Sequence, residues 1–196
     1  MAYGSCSMQG WRKSQEDAHI HELDVGDGNQ LYAIFDGHGG ENVSKFCEEY
    51  FTSILVNMKS YQSKNYELAL QEAFVEIDYL LVSNEGHKLM RQICSNNQPM
   101  KEIAFNEGCT ACVVLITNDS IYCANAGDSR AVIGTKNGEV IELSQDNKPD
   151  NAEEKRRIQA SGNNVSMGRV NGSLAVSRAI GDWEFKNDSL LAKLQA

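Results

Sequence analysis

The run Thr110-Ala111-Cys112-Val113-Val114-Leu115-Ile116, Thr117-Asn118-Asp119-Ser120, Ile121-Tyr122-Cys123-Ala124-Asn125 reads as a β-hairpin. Two largely apolar segments, the first rich in β-branched residues, flank four polar residues suited to a tight turn. Ala126-Gly127-Asp128-Ser129 interrupts the second strand, and Arg130 to Gly134 resumes it. Asn137-Gly138 then marks another turn before Val140-Ile141-Glu142-Leu143. Consecutive strands without a helix between them pair antiparallel, because a parallel pair needs a long crossover. Upstream lie two helical patterns, and upstream of those more strands. Strands, two helices and strands again predict an α+β sandwich and not a doubly wound parallel sheet.

Towards the N-terminus, residues 3–9 and about 18–24 read as strands around Gln9-Gly10. Trp11-Arg12-Lys13-Ser14-Gln15-Glu16-Asp17 between them is a dense polar loop. Val25-Gly26-Asp27-Gly28-Asn29 is a turn, and Leu31 to Phe35 a buried strand. From Glu41 to about Met58 the apolar positions Val43, Phe46, Tyr50, Ile54 and Met58 recur at helical spacing. Leu70, Phe74, Ile77 and Leu81 do the same from Tyr66 to about Val82. Residues 84–107 suggest one further short helix and a loop. Past the hairpins, Ser144 to Pro149 is a loop. Asp150-Asn151-Ala152-Glu153 opens a helix that runs to about Ala160 and stops at Gly162. Asn187 to Ala196 reads as a short amphipathic turn of helix.

The chain has 196 residues, 41% hydrophobic and 23% charged, which suits one globular domain. Its net charge of −9 argues against nucleic acid or an anionic membrane as partner. No apolar run approaches the roughly 20 residues of a membrane helix, and Met1 to Arg12 has no basic segment followed by an apolar one. The six cysteines read as reduced thiols. Cys109-Thr110-Ala111-Cys112 resembles half a zinc site, but on a strand its two thiols point to opposite faces.

Chemistry concentrates at Phe35-Asp36-Gly37-His38-Gly39-Gly40. A carboxylate and an imidazole two positions apart sit at a buried strand end, in a loop whose glycines permit close backbone approach. Glu16, Asp17, Asp128, Asp146 and Asp182 are further carboxylates on predicted loops. Oxygen ligands of this kind suit hard divalent cations such as Mg²⁺ and Mn²⁺. For Asp128 the preferred reading is structural, as a turn residue bonded to backbone.

Several long motifs then follow one another in a recognisable order. Ser7 to Arg12 with Gln15-Glu16-Asp17-Ala18-His19, and Tyr32 to Gly40, are similar to the first two motifs of the metal-dependent protein serine/threonine phosphatases of type 2C. Gly108 to Ala111, Ala124 to Ala131, Leu143 to Pro149 and Gly168 to Asp182 resemble the later ones, so the likeness covers about Tyr3 to Lys186. It implies a single domain over residues 1–196, a sandwich of two antiparallel β-sheets flanked by α-helices, with a metal cluster at one end. It also implies hydrolysis of phosphoserine and phosphothreonine in proteins by a metal-activated water. In this resemblance Asp36 bridges two Mn²⁺ or Mg²⁺ ions. The Gly37 carbonyl and Glu16 bind the second ion, and Asp17 holds water on the metal. Arg12 binds the substrate phosphate, His38 protonates the leaving oxygen, and Asp146 contributes to a third, weaker metal site. Phosphorylated proteins would be the partners of a monomer in the cytoplasm, with the nucleus as the alternative compartment.

The sequence departs from the family pattern after Gly181-Asp182. The family's flap and two further metal-binding aspartates, in Asp-Gly-x-Trp-Asp and Asp-Asn contexts, are expected beyond this point and are not found. Asn147 stands where the family often has histidine. The expectation is a chain whose C-terminal part is incomplete, with a sheet edge or apolar face left open. Such a chain would be weakly active or inactive, or a non-catalytic interaction module of the same fold.

Overall fold

The computed structural model describes residues 2–94 and 99–186. The expected helical turn at 187–196 lies outside the described residues. Element order is β1 (Ala18–Glu22), β2 (Gln30–Phe35), β3 (Gly37–His38), α1 (Asn42–Asn57), α2 (Lys59–Gln62), α3 (Tyr66–Val82), α4 (Asn84–Ile93) and α5 (Met100–Asn106). There follow β4 (Gly108–Cys109), β5 (Ala111–Ile116), β6 (Ile121–Ala126), β7 (Val132–Gly134), β8 (Val140–Glu142), α6 (Ala152–Ala160), β9 (Val165–Ser166), β10 (Arg169–Val170) and β11 (Ile180–Gly181). The fold is α+β, with antiparallel sheets and packed helices as expected.

The main sheet has the order β1-β2-β5-β6, antiparallel throughout. Its period-2 alternation sends Ala18, Ile20, Leu31, Ala33, Phe35, Val113 and Leu115 to the face covered by α1 and α3. Phe35, Phe46 and Phe51 are fully buried there, each contributing roughly 1.5–3 kcal/mol by transfer from water. Past Asp36 and Thr110 the paired strands β2 and β5 break and continue as β3 and β4. These join a second sheet in the order β11-β4-β3. The strand following Phe35 and the strand preceding Ala111 thus change sheet at one level, and Asp36 sits at that junction.

Several expectations are refined. Residues 3–9 form no strand. They run beside the helix-free face of the main sheet, where the Tyr3 ring lies tilted against His21 and approaches Tyr32, and among the described residues their backbone pairs with no strand. That face carries the half-exposed Ile34 and Ile121. The buried stripe of α1 is Val43, Phe46, Cys47, Phe51 and Leu55. Tyr50 and Ile54 flank it half-buried, because the helix packs against the sheet on one side and against α3 and α4 on the other. Among the described residues, 84–94 and 99–107 hold two helices, α4 and α5, where one is expected. Ser83 caps α4 by accepting the Gly86 N–H at 2.9 Å. The resumed strand at 130–134 does not extend the main sheet. It pairs with β8 as a separate hairpin, with Val132, Val140 and Ile141 exposed. Helix α6 ends as expected, with Gly162 in the left-handed region at φ 88° and the Asn163 N–H returning to the Ile158 carbonyl.

Cys109 and Cys112 do face opposite ways. Cys109 is buried on the helix side with its Sγ 3.7 Å from that of Cys47, whereas Cys112 lines the groove on the other face. Among the described residues no helix is long and apolar enough to cross a membrane.

Candidate active site

Helix α1 begins without a side-chain cap on its own segment. The carboxylate of Glu107, buried and 65 residues away, accepts the Asn42 N–H at 3.0 Å and the Asn42 side-chain amide at 2.9 and 3.0 Å. This carboxylate at a helix N-terminus satisfies an orphan donor and complements the helix dipole. It lies against Gly40, where a Cβ would overlap it. Burial raises the Glu107 carboxyl above its ordinary range, against the lowering effect of the Asn42 hydrogen bonds. The contact fixes where the Asp36–Gly40 loop enters α1.

Asp36 is held by a reciprocal pair of bonds. Its N–H donates to Thr110 Oγ1 at 3.1 Å, and its carbonyl accepts the Thr110 N–H at 2.9 Å. The Thr110 hydroxyl in turn meets that of Ser129 at 2.7 Å. Gly37 packs directly on the Glu16 carbonyl, which a Cβ would overlap, and the same carbonyl accepts the Ser44 hydroxyl at 2.5 Å. The polar loop read from the sequence is thereby pinned onto the Asp36 turn.

One cavity of about 500 Å³ gathers Arg12, Glu16, Asp36, Gly37 and His38 on its wall. Five of the six predicted site residues therefore meet, although they come from two separate segments. Asp146 does not join them. It bonds to Arg130 Nε at 2.9 Å, and that guanidinium holds its carboxyl below the usual range. Asp128 lines the cavity in its place. The backbone role expected of Asp128 is filled by two asparagines: Asn147 Oδ1 accepts the Gly127 N–H at 3.0 Å, and Asn125 Nδ2 donates to the Gly127 carbonyl at 3.2 Å. The Asp128 side chain is left to pair with Lys148.

Burial, then the negative charges of Asp17 and Asp128 and a hydrogen bond with Asp17, raise the Asp36 carboxyl above its ordinary range. His38 lowers it less. For His38, burial disfavours the charged ring, but the hydrogen bond and charge of Asp182, with the charges of Asp36 and Asp128, outweigh it and raise the imidazole. The sequence singled out Asp182 as a loop carboxylate but gave it no partner; its Oδ2 lies 2.6 Å from His38 Nε2. Thr110 stands in the sequence at a strand start and within a family motif, with no sign of its contact to Asp36. Neither role has a local signature, since the contacts span 144 and 74 residues.

A divalent cation suits this donor set in kind. Hard oxygen ligands converge, Gly37 lines the same cavity, and the crowded carboxylates around Asp36 are a charge excess that a cation offsets. Among the described residues no three His, Cys, Asp or Glu side chains are already arranged to hold an ion.

The family model described as "Protein phosphatase 2C" matches residues 1–195. The chain belongs to the protein phosphatase 2C family. It is 44% identical to "Probable protein phosphatase 2C 6" of Paramecium tetraurelia over 96% of its own length and 62% of that protein. It is similar to the structure titled "Structure of a C.elegans sex determining protein", at 26% identity and a TM-score of 0.70, covering 88% of this chain and 42% of that one. A phosphatase structure from Toxoplasma gondii shares the fold at 22% identity and a TM-score of 0.68, covering 92% of this chain and 64% of the other. The chain spans about three fifths of the length of the Paramecium relatives it matches.

Proposed function

We propose that this chain carries the catalytic core of a metal-dependent phosphatase acting on phosphoserine and phosphothreonine in proteins. The observation that carries the reading is the single cavity in which Arg12 and His38 face Glu16, Asp36 and Asp128. That cavity pairs two guanidinium groups, Arg12 and Arg169, with an imidazole and a cluster of hard oxygen ligands.

Arg12 is suited to bind the phosphate, since its planar fork matches two phosphate oxygens. Asp36, Glu16 and the Gly37 carbonyl would hold Mn²⁺ or Mg²⁺, with Asp17 beside them. Asp128 is the better candidate than Asp146 for any additional ion, because it shares the cavity. When bound, the metal lowers the pKa of water and offsets phosphate charge. His38 gives a proton to the seryl or threonyl oxygen as it leaves, a role typically worth ~10²–10⁴-fold. The domain is taken as the one unit spanning 1–196, a monomer acting in the cytoplasm or nucleus on phosphorylated proteins.

The test is hydrolysis of p-nitrophenyl phosphate with and without Mn²⁺, beside Asp36→Asn. Metal-dependent turnover lost in the variant supports the reading. Turnover that is absent, or that persists in the variant, refutes it.

A further inference from the structure

The second sheet places β4 between β3 and β11, so that Gly108 pairs with His38 on one side and with Gly181 on the other. Gly108 has no side chain to fill the space between them. A Cβ there would overlap both Asp182 Oδ2 and His38 Nε2. The carboxylate that follows Gly181 thus reaches across the central strand to the imidazole at 2.6 Å.

Asp182 is built into this position. Its side chain is 6% exposed, and its backbone is left-handed at φ 52°. Its N–H donates to the Glu107 carbonyl at 2.9 Å. Gly181, also left-handed, packs on that carbonyl and donates its N–H to Asp78 Oδ1 at 2.8 Å. Trp183 is buried, with its ring tilted against that of Tyr79 on α3 at 6.0 Å between centroids. Two successive left-handed residues are an unfavourable backbone choice outside glycine, and here they aim a buried carboxylate at one ring nitrogen. A buried carboxylate is costly without a partner. Among the described residues the hydrogen-bond partner of this one is His38.

We infer that Asp182 is the positioning residue of His38: it accepts the Nε2–H, fixes the ring plane and tautomer, and leaves Nδ1 as the nitrogen that serves the substrate. This rests on the phosphatase reading above. As the P–O bond to the leaving oxygen breaks, its electron pair stays on that oxygen, which takes the proton from Nδ1. Water supplies the oxygen that the phosphate gains, and the proton this water loses replaces, through solvent, the one Nδ1 gave up.

Two variants keep the backbone at residue 182: Asp182→Gly, which suits the positive φ, and Asp182→Asn, which tolerates it. Each is assayed with Mn²⁺ on phenyl phosphate, whose leaving oxygen needs a proton, and on p-nitrophenyl phosphate, whose leaving oxygen needs little help. The expected result for Asp182→Gly is a kcat on phenyl phosphate lower by about 10²-fold, near the lower end for a lost proton donor. On p-nitrophenyl phosphate kcat should stay within about threefold, KM should stay unchanged on both, and His38→Ala should add no further loss. An equal loss on both substrates, or no loss on either, overturns the inference while leaving the phosphatase reading in place. If the unsubstituted chain hydrolyses neither substrate, the phosphatase reading fails. Nitrogen-15 NMR of the His38 ring then still decides the positioning claim. With the ring neutral, an Nε2–H tautomer that Asp182→Gly releases supports it, and an Nδ1–H tautomer refutes it.

Discussion

Arg178 grips Glu154 with both ends of its guanidinium, through Nη2 to Oε1 at 2.6 Å and through Nε to both oxygens at 3.0–3.1 Å. Arg157 and the Ser177 hydroxyl bond to the same carboxylate. The contact ties α6 to the segment that leads into β11 and Asp182, so it supports the candidate site from behind. Burial opposes the charge on Glu154, but the Arg178, Arg157 and Ser177 bonds overcome it and bring the carboxyl down to about 2.

That depression makes stability depend on acid. The native pKa lies below the unfolded value, so the stabilisation is present above pH ~4.5 and is lost as pH falls from there towards 2. Its size is at most about 3 kcal/mol, since each pKa unit is about 1.4 kcal/mol and Arg178 is half exposed. Urea denaturation of the unsubstituted chain should show falling stability across that window. In Glu154→Gln the fall should be smaller, from a lower starting stability at neutral pH.

Thr110→Val tests the sheet junction. It keeps the strand shape but removes the acceptor for the Asp36 N–H and the partner of Ser129. The bond is part-buried, so the unmet donor should cost about 1 kcal/mol, the low end for a buried one, to be read by chemical denaturation. Mn²⁺ affinity measured by calorimetry should weaken as well, because Asp36 loses one of its two bonds to Thr110.

Gly37→Ala should disrupt the site more locally. The new methyl would overlap the Glu16 carbonyl, so the 14–17 loop must move away from Asp36. Overpacking of this kind costs about 1–3 kcal/mol. The expected sign is weaker Mn²⁺ binding together with lower stability.

The two candidate aspartates for an additional ion separate cleanly. Asp128→Asn removes a carboxylate from the cavity and should weaken or abolish the weakest Mn²⁺ binding event. Asp146→Asn removes only the partner of Arg130 and should leave the Mn²⁺ isotherm unchanged. The reverse outcome would return Asp146 to the site and remove Asp128 from it.

Much of this was legible in sequence because it is local. The 110–125 hairpin, α1, α3 and α6 follow from alternation, 3.6-residue spacing and stop signals written within each segment. The Asp36–Gly40 loop was legible as a strand-end site for the same reason. Residues 3–9 misled because strand propensity says nothing about whether a neighbour offers its ladder. Asp128 and Asp146 sit on loops of similar composition, so no local pattern tells which of the two side chains reaches the cavity. Only the asparagines at 125 and 147, which take over the turn, free Asp128 for the cavity.

The sequence alone therefore determined the family, the α+β order of elements and the short motifs that hold Arg12, Glu16, Asp36 and His38. Those depend on chemistry between near neighbours and on the order of motifs. Only the tertiary structure decided which distant groups complete the site: Thr110 under Asp36, Glu107 at the start of α1, and Asp182 behind His38. Each is a contact across 65 to 144 residues. Such contacts are set by strands changing sheet at Asp36 and by a glycine at 108 that leaves room, neither of which any local pattern encodes.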